Sequence, residues 1–289
     1  MVHTFYMRHC IMKIREPDIR LKSVGVCIYC LRAPPEVRLT AEHIIPKGLG
    51  GNLVLVDASC LECAVVTGRF EQKLLRDTFR NIRGALGISS GRRKKDRQTH
   101  AKVKRGVKPD QTEVELPFSE GMPFCGTFLT TPGPPNIFHG QNAPDSPYKM
   151  TFIFSPLFKS RMETYLTKHS GKGTYEFLAT FWDGNFCQML AKIAHSFAVA
   201  HLGVDGFKPY LTEYIRAKDP PRDFTYIGGQ ALDVDNPALH DITLVVAPKR
   251  YRTALGIAEK EFVLVELCLL ANCRAPNYLI PHYPDDHVI

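Results

Sequence analysis

The sequence predicts an α+β protein in two unequal parts: a small N-terminal unit stapled by four cysteines and a larger mixed α+β unit behind it. Three observations carry this. Two Cys-x2-Cys pairs, Cys27/Cys30 and Cys60/Cys63, stand 29 residues apart near the N-terminus. Strand-like and helix-like segments alternate over the last 180 or so residues. Between the two regions lies a segment, 92–108, with nine Lys or Arg and one acidic residue.

The chain has 289 residues, of which 44% are hydrophobic, enough for a sizeable core and for two domains. Predicted boundaries are 1–91 for the cysteine unit, 92–112 for a basic linker preceded by GISSG, and 113–289 for the C-terminal domain. The first twenty residues carry charges throughout, which speaks against a secretory signal. Phe262 to Ala271 is a ten-residue apolar run with Glu266 inside it, too short to span a bilayer and suited to a buried strand. A cytoplasmic protein without membrane contact is the expectation. Nine cysteines, an odd number, argue against a disulfide framework, and the two pairs argue for metal. The scattered Cys10, Cys125, Cys187, Cys268 and Cys273 read as small buried hydrophobes.

Each element has a local reason. Glu42 to Pro46 reads as a strand closed by proline, the glycines 48, 50 and 51 as a turn, and Asn52 to Val56 as a second strand. Residues 64–82, AVVTGRFEQKLLRDTFRNI, have helical spacing through Val65 or Val66, Phe70, Leu74 and Phe79. TTPGPPNIFHG at 130–140 reads as an irregular loop. Residues 148–155, 174–181, 240–247 and 261–270 are strand-like by their Val, Ile, Phe and Thr content. Residues 185–203 form the clearest helix, started by Asn185 or Asp183 and ended at Gly203. It is apolar nearly all round, so it is expected to be buried, with His195 and His201 as satisfied buried or partly buried histidines rather than ligands.

Two Cys-x2-Cys knuckles present four thiolates, the donor set of a closed, tetrahedral, structural zinc site. Binding of the ion would supply folding energy to a segment with little core. The basic segment lies beside this unit, where a polyanion would feel it, whereas residues 109–289 hold 15 basic and 20 acidic residues. That acidic balance suits a protein partner or a second copy of the chain better than broad nucleic-acid contact.

The order CxxC, Glu-His-Ile-Ile-Pro, Gly-Gly, CxxC, helix resembles the HNH endonucleases, also called ββα-metal nucleases, in a bacterial branch whose core reads like EHIIPKGLGG…ASCLEC…TGRFE. The resemblance covers about residues 27–80. It implies hydrolysis of phosphodiester bonds in nucleic acid, DNA rather than RNA, with His43 as general base and Glu42 as ligand of a divalent cation, Mg2+ or Mn2+. Histidine titrates near neutrality and a hard cation held by carboxylates can bridge a phosphate, so the chemistry fits.

The chain departs from the family pattern at two places. Ala64 stands where a histidine or asparagine usually completes the metal site, and Leu55 stands at the usual middle asparagine, with Asn52 nearest. Glu71, two helical turns beyond Ala64, is the replacement ligand expected here, with Thr67 on the same face. Lys47, Arg69, Arg92, Arg93, Lys94, Lys95, Lys104 and Arg105 are the candidate nucleic-acid contacts. The alternative is a non-catalytic zinc-binding adaptor that holds nucleic acid through 92–108.

Overall fold

A computed structural model describes residues 17–88, 100–105, 109–117, 126–139, 148–154, 175–176, 183–231, 235–246 and 262–283. The architecture is α+β, with a cysteine-bearing N-terminal unit and a larger, strand-rich C-terminal part.

The N-terminal sheet holds β1 (Ile19–Ser23), β2 (Leu39–His43) and β3 (Leu53–Cys60) in the order β1-β3-β2. β1 runs parallel to β3, and β2 antiparallel, with Glu42 opposite Leu55 and His43 opposite Val54. Between β2 and β3 the chain turns through a short 3-10 helix, Lys47–Leu49. Two glycines make that turn possible. Gly50 sits at φ +97°, and a Cβ on Gly51 would stand 2.1 Å from the Ile45 carbonyl oxygen.

β3 passes directly into α1 (Leu61–Arg76), which buries Cys63, Thr67, Phe70 and Leu74. The helix begins three residues before the predicted start and breaks at Asp77. A separate short helix, α2 (Arg80–Ala85), follows. The residue that ends the run is Phe79, fully buried, whose amide turns back to the Leu74 carbonyl.

Part of the predicted linker is not a linker. Residues His100–Arg105 form β4, antiparallel to β5 (Thr112–Pro117), and β4 also pairs with β8 (Tyr175–Glu176). In this register Lys104 stands opposite Glu113 and Glu176, and Lys102 opposite Glu115, so cross-strand acidic neighbours meet basic positions. The predicted Pro/Gly loop at 130–140 is likewise half ordered: β6 (Gly126–Pro132) pairs with β7 (Tyr148–Phe154), and Asn136–His139 is a 3-10 turn.

The apolar helix of the sequence is α3 (Asp183–Leu202), buried continuously from Asn185 to Val199 and closed by Gly203 at φ +79°. α4 (Leu211–Arg216) packs beside it. The last sheet is antiparallel, β10 (His240–Val246), β11 (Val263–Leu269), β12 (Asn277–His282) and β9 (Gly228–Gln230) in that order. α3 lies between this sheet and the N-terminal unit. One hydrophobic core therefore runs from Ile28, Ile44 and Leu74 through Phe186, Met189 and Ile193 to Val265 and Tyr278. Three thiols outside the pairs, Cys187, Cys268 and Cys273, are buried, and burial pushes them up to about 12, about 11 and about 12. No helix among the described residues is long and apolar enough to cross a membrane.

Candidate metal centre and histidine site

Strand β3 ends at Cys60 and α1 carries Cys63 in its first turn, so the second pair straddles a strand-to-helix junction. The first pair closes a tight turn: the Leu31 amide donates to the Cys27 carbonyl, and Leu31 itself adopts φ 61°. The Ile28 amide donates to the Ala58 carbonyl and ties one knuckle to the other. All four sulfurs lie within 4.8 Å of one another. Sulfurs around a tetrahedral ion at Zn–S distances of about 2.3 Å stand about 3.8 Å apart. Cys30 Sγ and Cys60 Sγ are 3.8 Å apart. The donor set and its spacing fit zinc.

The thiols of the cluster differ in their tendency to ionise: burial chiefly pushes Cys60 up, and the hydrogen bond with Cys27 chiefly pushes Cys63 up. Hydrogen bonding from the Cys63 thiol is the largest cause holding Cys27 down at about 4, against the opposing effect of burial. Arg32 contributes from outside, its Nε 3.4 Å from Cys30 Sγ and one terminal nitrogen 3.7 Å from Cys60 Sγ. The same guanidinium pairs with Glu62 and approaches Glu36 at 3.7 Å. Such outer donors orient thiolates and spread their charge.

Alternation along β2 sends Glu42 and His43 to opposite faces. Glu42 points into the core and is 7% exposed. Glu71 approaches the same place from α1. What meets both carboxylates is a side chain absent from the sequence-level site. Lys192, at the middle of α3 and 0% exposed, sets its Nζ 2.6 Å from Glu42 Oε1 and 3.0 Å from Glu71 Oε1. The Glu71 contact is an ion pair off the line of a hydrogen bond. The same ammonium donates to the carbonyl of His43 and, at 3.2 Å, to that of Ile44. Burial alone would push Lys192 down, but the charges of Glu42 and Glu71 outweigh it and hold the ammonium. Glu42 is pushed up, chiefly by burial and also by Glu71, with Lys192 opposing.

With that ammonium in place, Glu42 and Glu71 do not fit a divalent cation. Ala64 supplies no donor atom, and the Thr67 hydroxyl donates to the Ala64 carbonyl at 3.3 Å. The signal for Lys192 was present in the sequence: a lone lysine in a helix otherwise apolar on every face must find buried counter-charges.

His43 lies on the other face of β2, half-buried. Its Nε2 turns inward, 3.8 Å from Asp18 Oδ2, and has no hydrogen-bond partner among the described residues. Desolvation first, and Lys47 second, lower its pKa below the usual 6.5, so the ring is neutral at pH 7. Lys47 Nζ is 2.8 Å from the same Asp18 oxygen. Arg69 is exposed on α1. Lys104 and Arg105 lie in β4, away from a loop, and Arg92, Arg93, Lys94 and Lys95 lie outside the described residues.

Of the two histidines of α3, His195 is a core group, 1% exposed, whereas His201 lies in the exposed last turn of the helix. His195 Nε2 donates to the Ile28 carbonyl at 2.7 Å, and His201 Nδ1 donates to the Phe197 carbonyl at 2.9 Å. His240 was not singled out by the sequence, yet it bridges the two parts. Its Nε2 donates to the Leu49 carbonyl at 2.9 Å while its Nδ1 accepts the Leu270 amide at 3.1 Å.

Neither the curated proteins nor the solved structures contain a match to this chain. Residues 27–80, from the first cysteine knuckle to the start of α2, match the profile of a family described as HNH endonuclease. Over that segment the chain is similar to the HNH endonucleases, in a form carrying four cysteines placed to hold zinc.

Proposed function

We propose that this protein is a nuclease that hydrolyses phosphodiester bonds, in DNA rather than RNA, with His43 as the general base. The observation that carries the reading is the state of His43 at the end of β2 within the matched segment: a partly exposed imidazole, neutral at pH 7 and flanked by Lys47. Asp18 beside Nε2 favours the tautomer with the proton on that nitrogen, which leaves Nδ1 to take a proton from an attacking water. Lys47, paired with Asp18, and the exposed Arg69 would meet a phosphate, and the basic residues 92–95 would add to them. Zinc at Cys27, Cys30, Cys60 and Cys63 would be structural, since four thiolates leave no coordination position for water.

A second reading is favoured by one specific pair of facts. Ala64 supplies no ligand, and Lys192 takes up both acidic side chains. A non-catalytic nucleic-acid adaptor would look like this.

Zinc-loaded protein and His43→Ala, incubated with plasmid and with single-stranded DNA, with and without added Mg2+ or Mn2+, separate the two. The nuclease reading expects cleavage by the wild type that falls at least about 100-fold in His43→Ala. Its rate should rise with pH through a limb below 6.5 and level off above it, because only the neutral ring accepts a proton. Salt-sensitive DNA binding without cleavage in either protein establishes the adaptor instead. Equal cleavage by both proteins removes His43 from the mechanism.

A further inference from the structure

We propose that the Lys192 ammonium is the resident cation of the carboxylate site: a protein side chain stands where Glu42 and Glu71 would otherwise hold a divalent metal ion. Four oxygens converge on Nζ, two from carboxylates on β2 and α1 and two from consecutive backbone carbonyls at the end of β2. A hard divalent cation asks for this kind of all-oxygen shell. An ammonium has only three protons to donate, so four oxygens exceed its hydrogen-bonding capacity, and Glu71, at 3.0 Å, is the poorly aligned one.

The position of the lysine supports the same conclusion. Lys192 belongs to α3, about 150 residues beyond β2, and reaches the site through the core shared by the two parts of the chain. Its neighbours on α3 anchor the helix to the same unit: Tyr29 and Ser196 meet hydroxyl to hydroxyl at 3.2 Å, and His195 holds the Ile28 carbonyl. The counter-charge of the N-terminal unit is thus delivered by the C-terminal part. Docking α3 does what metal loading would do, and it couples the integrity of the histidine strand to that docking. Lys192 is a positioning residue: it holds the two carbonyls that follow Glu42 on β2, and through them the backbone that carries His43.

The inference does not rest on cleavage, and its test reads binding and stability in the full-length, zinc-loaded protein. Ca2+ is the probe for thermal unfolding and Mn2+ for spin-resonance titration, because neither competes well with zinc for thiolates. Wild type is expected to unfold at the same temperature with and without millimolar Ca2+. It should also take up no Mn2+ that Glu42→Gln removes. Lys192→Ala is expected to unfold several degrees lower and to regain most of that loss in Ca2+. Adding Glu42→Gln to Lys192→Ala should abolish the regain, a behaviour that simple loss of packing would not produce. Wild-type Mn2+ uptake that disappears in Glu42→Gln overturns the proposal, because the carboxylates would then hold metal beside the lysine. A folded Lys192→Ala that ignores Ca2+ overturns it as well. If Lys192→Ala does not fold, the comparison of wild type with Glu42→Gln decides alone.

Discussion

Two anionic clusters lie in the same small unit, one of four thiols and one of two carboxylates, and they find their counter-charge in opposite ways. The thiols, on the knuckle before β2 and on the β3–α1 junction, are local in sequence and are flanked only at their edge by Arg32. They leave room for an ion from outside. The carboxylates, only 29 residues apart, receive a lysine from the far part of the chain. Softness accounts for part of the difference. Thiolates bind zinc covalently enough that no ammonium competes, whereas a carboxylate pair treats an ammonium and a hard cation as near equivalents. The lesson concerns dependence: one cluster ties folding to a metal, and the other ties the folding of the N-terminal unit to the rest of the protein.

The largest effect should come from attacking the thiol cluster. Cys60→Ser is expected to abolish stoichiometric zinc and unfold the N-terminal unit, since zinc on such a site is worth on the order of 10 kcal/mol of apparent binding free energy. Metal analysis together with circular dichroism checks this. A zinc-free variant with native stability would break the comparison at its stronger end.

The carboxylate cluster should respond less, and in a way that neutralisation repairs. Lys192→Met alone leaves two buried carboxylates facing each other and should cost about 3–5 kcal/mol in urea unfolding. Adding Glu42→Gln and Glu71→Gln to it should recover most of that loss, because a buried ion cluster and a neutral one of similar size are often close in stability. Additive losses in the triple variant would mean that shape rather than charge holds the site.

Acid should loosen the seam between the two parts. Burial lowers His195 and His240 to about 4 and His282 to about 3. Each is neutral in the folded protein and has an ordinary value near 6.5 when unfolded. Their contribution is therefore fully present above pH 6.5 and is lost as the pH falls towards 4. His195 and His240 hold carbonyls of the N-terminal unit, Ile28 and Leu49, so separation of the parts should accompany the loss. Urea midpoints measured from pH 7 down to 4 should fall continuously, and a flat profile would contradict the neutral assignments.

The smallest expected effect is at the rim of the thiol cluster. Arg32→Ala should weaken zinc affinity by about 10-fold to 100-fold and leave the fold intact, as losses of outer donors to metal ligands do. Competition with a chromogenic chelator reads it directly.

Much of this was legible along the chain, where the physics is local. The Cys-x2-Cys spacing requires a tight turn whatever the surroundings, and Leu31 at positive φ provides one. Gly51 had to be glycine because Ile45 passes beneath it. The apolar run of α3 announced its own burial. The short strands β1, β6, β9 and β12 were not legible, because glycine, proline and charge dilute their alternation and each is stabilised by the strand it pairs with. β4 hid inside a basic segment for the same reason, its lysine positions falling opposite acidic positions of β5 in the register.

The sequence by itself determined the thiol cluster, the histidine strand and their order, since turn geometry and side-chain periodicity act over a few residues. Only the tertiary structure decided what neutralises Glu42 and Glu71. That choice depends on a lysine from α3, about 120 to 150 residues away, being driven into the core by the apolar helix that carries it. Electrostatic partners in a low-dielectric interior are chosen by which elements pack together, and no local pattern records that choice.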